Sequence, residues 1–179
     1  MFREHLRTIT RREDLSADQM AEMIAEIFSG TLSDALITAF MAALATKGET
    51  FEELAGAARA MRRRAGRIQA AAPTVVDTCG TGGDGTGTFN ISTTTAFVVA
   101  GCGVTVAKHG NRSVSSRCGS ADLIEALGVN LDTPPDLVEE AVGQIGIGFL
   151  FAPPYHSAMR HAAGARKELG LRSIFNMLG

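Results

Sequence analysis

The sequence predicts an α/β protein: a small all-helical subdomain over residues 1–70, then the first part of a mainly parallel sheet domain beginning near Pro73. Three observations predict it. The first 70 residues carry capping signals and apolar residues at helical spacing. After Pro73, β-branched runs alternate with helical segments. A glycine-rich loop follows the first of those runs, and a polar loop follows the second.

Ser16 with Gln19, Thr31 with Asp34 and Thr50 with Glu53 each place a hydroxyl three residues before an acid or amide, marking three helix starts. Met20, Ile24, Ile27 and Phe28, then Leu36, Phe40, Ala43 and Leu44, recur at the spacing of one buried helix face. Alanine-rich faces predict close packing. The third helix carries Arg59, Arg62, Arg63 and Arg64, with Arg67 following and no acid among them. A solvated helix end favoured by the helix dipole is the expected reading, with a phosphate-facing or partner-facing role as the alternative.

Beyond Pro73, Thr74–Thr78 (TVVDT) is expected as a strand, and Ile91–Ala100 as a helix exposing Ser92 and Thr93 in its first turn. Val104–Ala107 is expected as the second strand, Lys108–Gly119 as a polar loop, and Ser120–Leu127 as a helix closed by Gly128. This alternation predicts parallel strands with both loops on the carboxyl edge, where ligands bind.

Composition narrows the function classes. A net charge of −2 argues against a general nucleic-acid or membrane binder. Cys79, Cys102 and Cys118 lack CxxC spacing, which predicts a reduced, cytoplasmic protein rather than disulfides or a zinc site. The polar start (MFREHLRTITRRE) does not read as a signal peptide, and the apolar run Ala96–Ala107 is broken by glycines and too short to span a bilayer.

The first loop, CGTGGDGTGTFNISTTT, meets two phosphate-loop templates halfway. Gly80, Gly82 and Gly85 satisfy G-x-G-x-x-G, but Lys108 stands near the end of the second strand where a dinucleotide site wants an acid. Gly80 and Gly85 have P-loop spacing, but Thr86-Gly87 follows where that loop needs lysine. What remains is the shared physics: glycines let backbone N–H groups converge on an anion, and helix starts add donors. The second loop adds Lys108, Arg112 and Arg117 with Ser113, Ser115, Ser116 and Ser120, so the pair could hold two phosphate groups of one ligand. Asn90 and Asp84 suit sugar hydroxyls or a hydrated metal.

GTGGDGTGTFNIST, KHGNRSVSS, GSADLIEALGV and FAPPYHSAMRHAAGARKELGLRSIFNMLG together resemble the anthranilate phosphoribosyltransferases, of the type III phosphoribosyltransferase fold. The resemblance runs through essentially the whole chain. It implies magnesium-dependent transfer of the phosphoribosyl group of 5-phosphoribosyl 1-diphosphate (PRPP) to anthranilate, with Mg2+ as cofactor, in tryptophan biosynthesis. By the family pattern Gly80, Gly83, Asp84, Thr88, Asn90, Ile91, Ser92, Thr93, Lys108, His109, Gly110, Asn111, Arg112, Ser113, Val114, Ser115, Ser116 and Ser120 would contact PRPP. Ser92 would hold the metal. Gly80, Asn111 and Arg166 would contact anthranilate, with Arg166 on its carboxylate. Lys108 and His109 are the candidate catalytic residues, Lys108 for the departing pyrophosphate and His109 more for orienting the loop than as a base.

The family continues for nearly as long again and supplies an acidic pair for a second metal, so the resemblance implies an amino-terminal half that is inactive alone. Residues 73–179 would be the first part of the PRPP-binding domain, with 155–179 leading back toward the helical subdomain. Apolar faces on the three predicted helices, and the family, imply a homodimer. Two alternatives stand beside this reading: a non-catalytic nucleic-acid-binding relative, served by the arginine-rich helix, and a pyrimidine nucleoside phosphorylase-like enzyme.

Overall fold

The computed structural model describes residues 1–80, 88–113 and 118–178. The chain divides into two compact units: Met1–Ala65 with His156–Gly179, and Gly66–Tyr155.

The first unit is a helical bundle. It comprises α1 (Phe2–Thr10), α2 (Ala17–Phe28), α3 (Asp34–Lys47), α4 (Phe51–Arg64), a 3-10 turn (Ser157–Met159), α9 (Arg160–Leu169) and α10 (Ile174–Met177). Four helices, not three, precede residue 65. The additional α1 lacks a Ser or Thr cap, but Phe2, Leu6 and Ile9 follow one another at helical spacing, and Phe2 packs against Phe40 with ring centroids 6.0 Å apart.

Ser16 and Thr50 close full capping boxes with Gln19 and Glu53. The expected Thr31 cap is corrected: Ser33 accepts the Leu36 N–H, while the Thr31 hydroxyl meets Ser29. Starting the helix at Ser33 puts Asp34 in the first turn, where the helix dipole favours an acid.

The bundle core joins Met20, Ile24 and Ile27 of α2 to Ile37, Phe40 and Leu44 of α3, with Ala162 and Ala165 of α9 and Phe175 of α10. The exposed apolar faces expected on the three predicted helices are not there. Among the described residues of α2, α3 and α4, the exposed large hydrophobic is Phe51, because the bundle itself covers the rest.

The second unit holds β1 (Val75–Val76), α5 (Ile91–Gly101), β2 (Thr105–Gly110), α6 (Ser120–Ala126), α7 (Pro135–Ile145), β3 (Ile147–Phe151) and α8 (Ala152–Tyr155). Among the described residues the strands form one parallel sheet in the order β1-β2-β3. β1 is shorter than expected, pairing only Val75 with Thr105 and Val76 with Val106. β2 is longer. Lys108, His109 and Gly110, expected in a loop, pair with Phe149, Leu150 and Phe151, because β3 supplies the partner groups that keep them extended. Ala121, Ile124 and Leu131 form a small core with Phe149 and Phe151 against it.

Candidate active site

β1 and β2 lie side by side and parallel, so the segments leaving their carboxyl ends emerge on one edge of the sheet. Of the residues expected to bind ligand, Gly83, Asp84, Val114, Ser115 and Ser116 lie outside the described residues, as do Gly82, Gly85 and Arg117. Gly80 and Thr88 are exposed, and Asn90 caps α5 by accepting the Thr93 N–H at 3.1 Å. The Ser92 hydroxyl donates to the same Asn90 oxygen at 3.3 Å.

Thr93 corrects the expectation that it is exposed. It is fully buried, because α5 turns that face onto the sheet, and its hydroxyl finds no partner among the described residues. Ile91 is exposed in the same turn.

Lys108 sits beneath this edge, 3% exposed. Its ammonium donates to the carbonyls of Thr78 at 2.5 Å and of His109 at 2.9 Å, with Asp77 Oδ1 at 3.9 Å. Burial pulls its pKa below the ordinary 10.5, and the neighbouring Asp77 and Cys79 oppose that pull. The ammonium therefore bridges the ends of β1 and β2 and places a fixed cation where both segments begin. The His109 N–H donates to Asp77 Oδ1 at 3.2 Å, and the Thr78 hydroxyl donates to the Ser92 carbonyl at 2.8 Å. These bonds tie β1, β2 and the first turn of α5 together. Asp77 and Thr78 were not singled out in the sequence; their signal was a strand end bearing an acid and a hydroxyl.

At the end of β2 Gly110 is buried, while Asn111 and Arg112 beyond it are exposed. The Arg112 guanidinium is held by Glu125 through two 2.8 Å hydrogen bonds and by Asp122 at 3.1 Å, 6.0 Å from the centre of the Phe151 ring. Glu125 and then Asp122 push its pKa up, and Arg112 in turn holds Glu125 below the usual carboxylate range. Asp122 also accepts the N–H groups of Ser113 (3.0 Å) and Gly119 (2.8 Å), beside half-buried Ser120.

Arg166 lies on α9 in the first unit, its guanidinium 5.9 Å from the centre of the Phe175 ring, and burial lowers its pKa. It shares an open, basic recess with Lys167, Leu171, Arg172 and Asn176, suited to an anion carrying an apolar body.

Two family models match: the helical bundle domain of a glycosyl transferase family over residues 3–65, and that family's a/b domain over residues 72–179. The chain belongs to this glycosyl transferase family. Within the family it is 72% identical, over all of its 179 residues, to an anthranilate phosphoribosyltransferase of Syntrophobacter fumaroxidans, of which it covers 53%. Among solved structures it is similar to the anthranilate phosphoribosyltransferase of Thermus thermophilus, with a TM-score of 0.88 and 46% identity over 97% of this chain and 53% of that one. It is also similar to the Saccharomyces cerevisiae anthranilate phosphoribosyltransferase in complex with PRPP and Mg, with a TM-score of 0.85 and 31% identity over 98% of this chain and 54% of that one. The chain thus spans about half the length of the curated relatives it matches. No helix among its described residues is long and apolar enough to cross a membrane.

Proposed function

We propose that this chain serves the transfer of the phosphoribosyl group of PRPP to the amine of anthranilate, giving N-(5-phosphoribosyl)anthranilate and pyrophosphate in tryptophan biosynthesis. The observation that carries the proposal is the pair of loop segments at the carboxyl ends of adjacent parallel strands, with the Lys108 cation buried between the strand ends. Such a pair suits a ligand with two separate phosphate groups, and PRPP is one.

In this reading Asn90, Ser92 and the segment Lys108–Ser113 with Ser120 hold PRPP, while buried Thr93 packs the first turn of α5 onto the sheet. Arg166 serves as the fork for the carboxylate of anthranilate. The half-buried, uncharged Ser92 hydroxyl suits a magnesium ion that keeps several waters and takes its anionic ligands from the substrate. When bound, that ion would neutralise charge on the leaving pyrophosphate. Lys108 adds a fixed positive charge from below, and its two carbonyl partners prevent it from moving as the C1′–O bond lengthens. The attacking aromatic amine needs no strong base until it has become cationic, which leaves position 109 to orient the strand end through its backbone N–H bond to Asp77.

A homodimer through the helical unit, which rests on the family resemblance alone, and a cytoplasmic setting complete the reading, the latter in keeping with three exposed free cysteines. Calorimetric titration of the chain with PRPP tests the proposal: binding that requires magnesium is expected. Binding of free phosphate in preference to PRPP would favour a nucleoside phosphorylase. Tight binding of duplex DNA at physiological salt, without PRPP binding, would favour a nucleic-acid-binding relative.

A further inference from the structure

Around the start of α6 the backbone is stitched to the end of β2. The Ala121 N–H donates to the Asn111 carbonyl at 3.1 Å. One oxygen of Asp122 accepts the Ser113 N–H at 3.0 Å and the Gly119 N–H at 2.8 Å, and its other oxygen accepts Arg112 at 3.1 Å. The segments approach so closely that a Cβ on Gly119 would overlap the Ser113 nitrogen and the Asn111 carbonyl oxygen. The Gly119 bond alone would be an ordinary helix-start contact, since Asp122 stands three residues after the residue that caps α6. The Ser113 bond is different. It reaches nine residues back along the chain and joins the strand-end segment to the helix.

We propose that Asp122 is a positioning residue for phosphate binding: its carboxylate, by taking the Ser113 and Gly119 amides, fixes Asn111–Ser113 against Gly119 and Ser120, so that exposed Asn111 and half-buried Ser120 are held together at the carboxyl end of β2 for one anion. This rests on the PRPP reading above. Asp122 touches no ligand in the proposal, because both of its oxygens already accept hydrogen bonds from the chain. The Ser113 and Gly119 amides, and then Arg112, hold its carboxyl below the usual carboxylate range, so at neutral pH it is a permanent acceptor. A neutral side chain at this position could accept, but without the charge that strengthens each bond.

The test compares Asp122→Ala, Asp122→Asn and Gly119→Ala with the unsubstituted 179-residue chain. It measures PRPP affinity with magnesium by calorimetry, the melting temperature, and hydrogen exchange at the Ser113 and Gly119 amides. Asp122→Ala is expected to weaken PRPP binding about tenfold or more and to speed exchange at both amides. Asp122→Asn, which keeps an oxygen acceptor, is expected to recover part of the affinity. A merely structural Asp122 would lower the melting temperature without this graded recovery of affinity. Gly119→Ala separates the same segments sterically while leaving the carboxylate in place, and is expected to lose affinity as Asp122→Ala does. PRPP binding by the unsubstituted chain together with unchanged affinity in folded Asp122→Ala and Gly119→Ala overturns the positioning role alone. Absence of PRPP binding by the unsubstituted chain overturns the PRPP reading, and the positioning role with it.

Discussion

Lys108 joins two strand ends, and in the proposed function the same ammonium faces the phosphates of PRPP. Its ammonium has three N–H groups, and two are taken by the carbonyls of Thr78 and His109. Lys108→Ala is therefore expected to weaken PRPP binding by about 1.5–3 kcal/mol, the range for a charge-assisted hydrogen bond. Unchanged affinity by calorimetry would remove Lys108 from the site. Arg166→Ala separates the substrates: anthranilate binding, followed by its fluorescence, should weaken far more than PRPP binding, because only the carboxylate loses its fork. Equal losses would make Arg166 structural. Lys47 carries a different chemistry. It donates to Asp14 at 2.6 Å and to fully buried Glu53 at 2.9 Å, and Glu53 also accepts the N–H groups of Leu15 and Thr50. Burial opposes the Lys47 charge, but the bonds to Asp14 and Glu53 outweigh it and raise its pKa above 10.5. A raised folded-state pKa means that the stabilisation is complete below 10.5 and is lost as pH climbs through the folded value. Lys47→Met should cost about 3–5 kcal/mol at neutral pH, because a buried carboxylate is left without its cation. Urea unfolding at a series of pH values should show this difference shrinking above 10.5; a constant difference would refute the linkage.

At the scale of elements, the capping boxes at Ser16 and Thr50 were legible because they are local: hydroxyl, acid and backbone lie within four residues. The Ser33 start was less legible, since two hydroxyl residues compete within one short connection and only the folded turn selects between them. The packing of α2 on α4 depends on Gly56, where a Cβ would overlap the Ala17 carbonyl. Gly56→Ala is expected to destabilise by about 1–3 kcal/mol in urea unfolding despite the better helix propensity of alanine, since backbone cannot move aside as a flexible side chain can. A stabilising effect would show that the helices slide apart at no cost. β2 illustrates the converse limit. Lys108 and His109 are polar and look like loop, yet they are extended because β3, some forty residues later, pairs with them.

At the scale of the whole molecule, the sheet unit leaves large apolar residues exposed on α5, with Ile91, Phe97 and Val98 53%, 44% and 61% exposed, and Val75 of β1 at 38%. Exposed apolar surface, here beside a β1 edge that no strand among the described residues covers, favours association. The chain is expected to self-associate as its concentration rises, and Phe97→Glu with Val98→Lys to reduce that, both read by sedimentation velocity. Association unaffected by the pair would place the contact elsewhere, with Phe51, 92% exposed on α4, as the next surface to substitute.

By itself the sequence determined the α/β class, the helical start, the β-α-β order around Ile91–Gly101 and the presence of glycine- and serine-rich segments after the strands. Each of these is written in local spacing: helical periodicity, β-branched runs, caps and glycines. Only the tertiary structure decided that Lys108 is buried across two strand ends, that Thr93 faces inward, and that Asp122 joins Ser113 to Gly119. Those outcomes depend on bonds between segments nine to thirty residues apart, and such pairings follow from sheet register and helix docking, which local spacing does not encode.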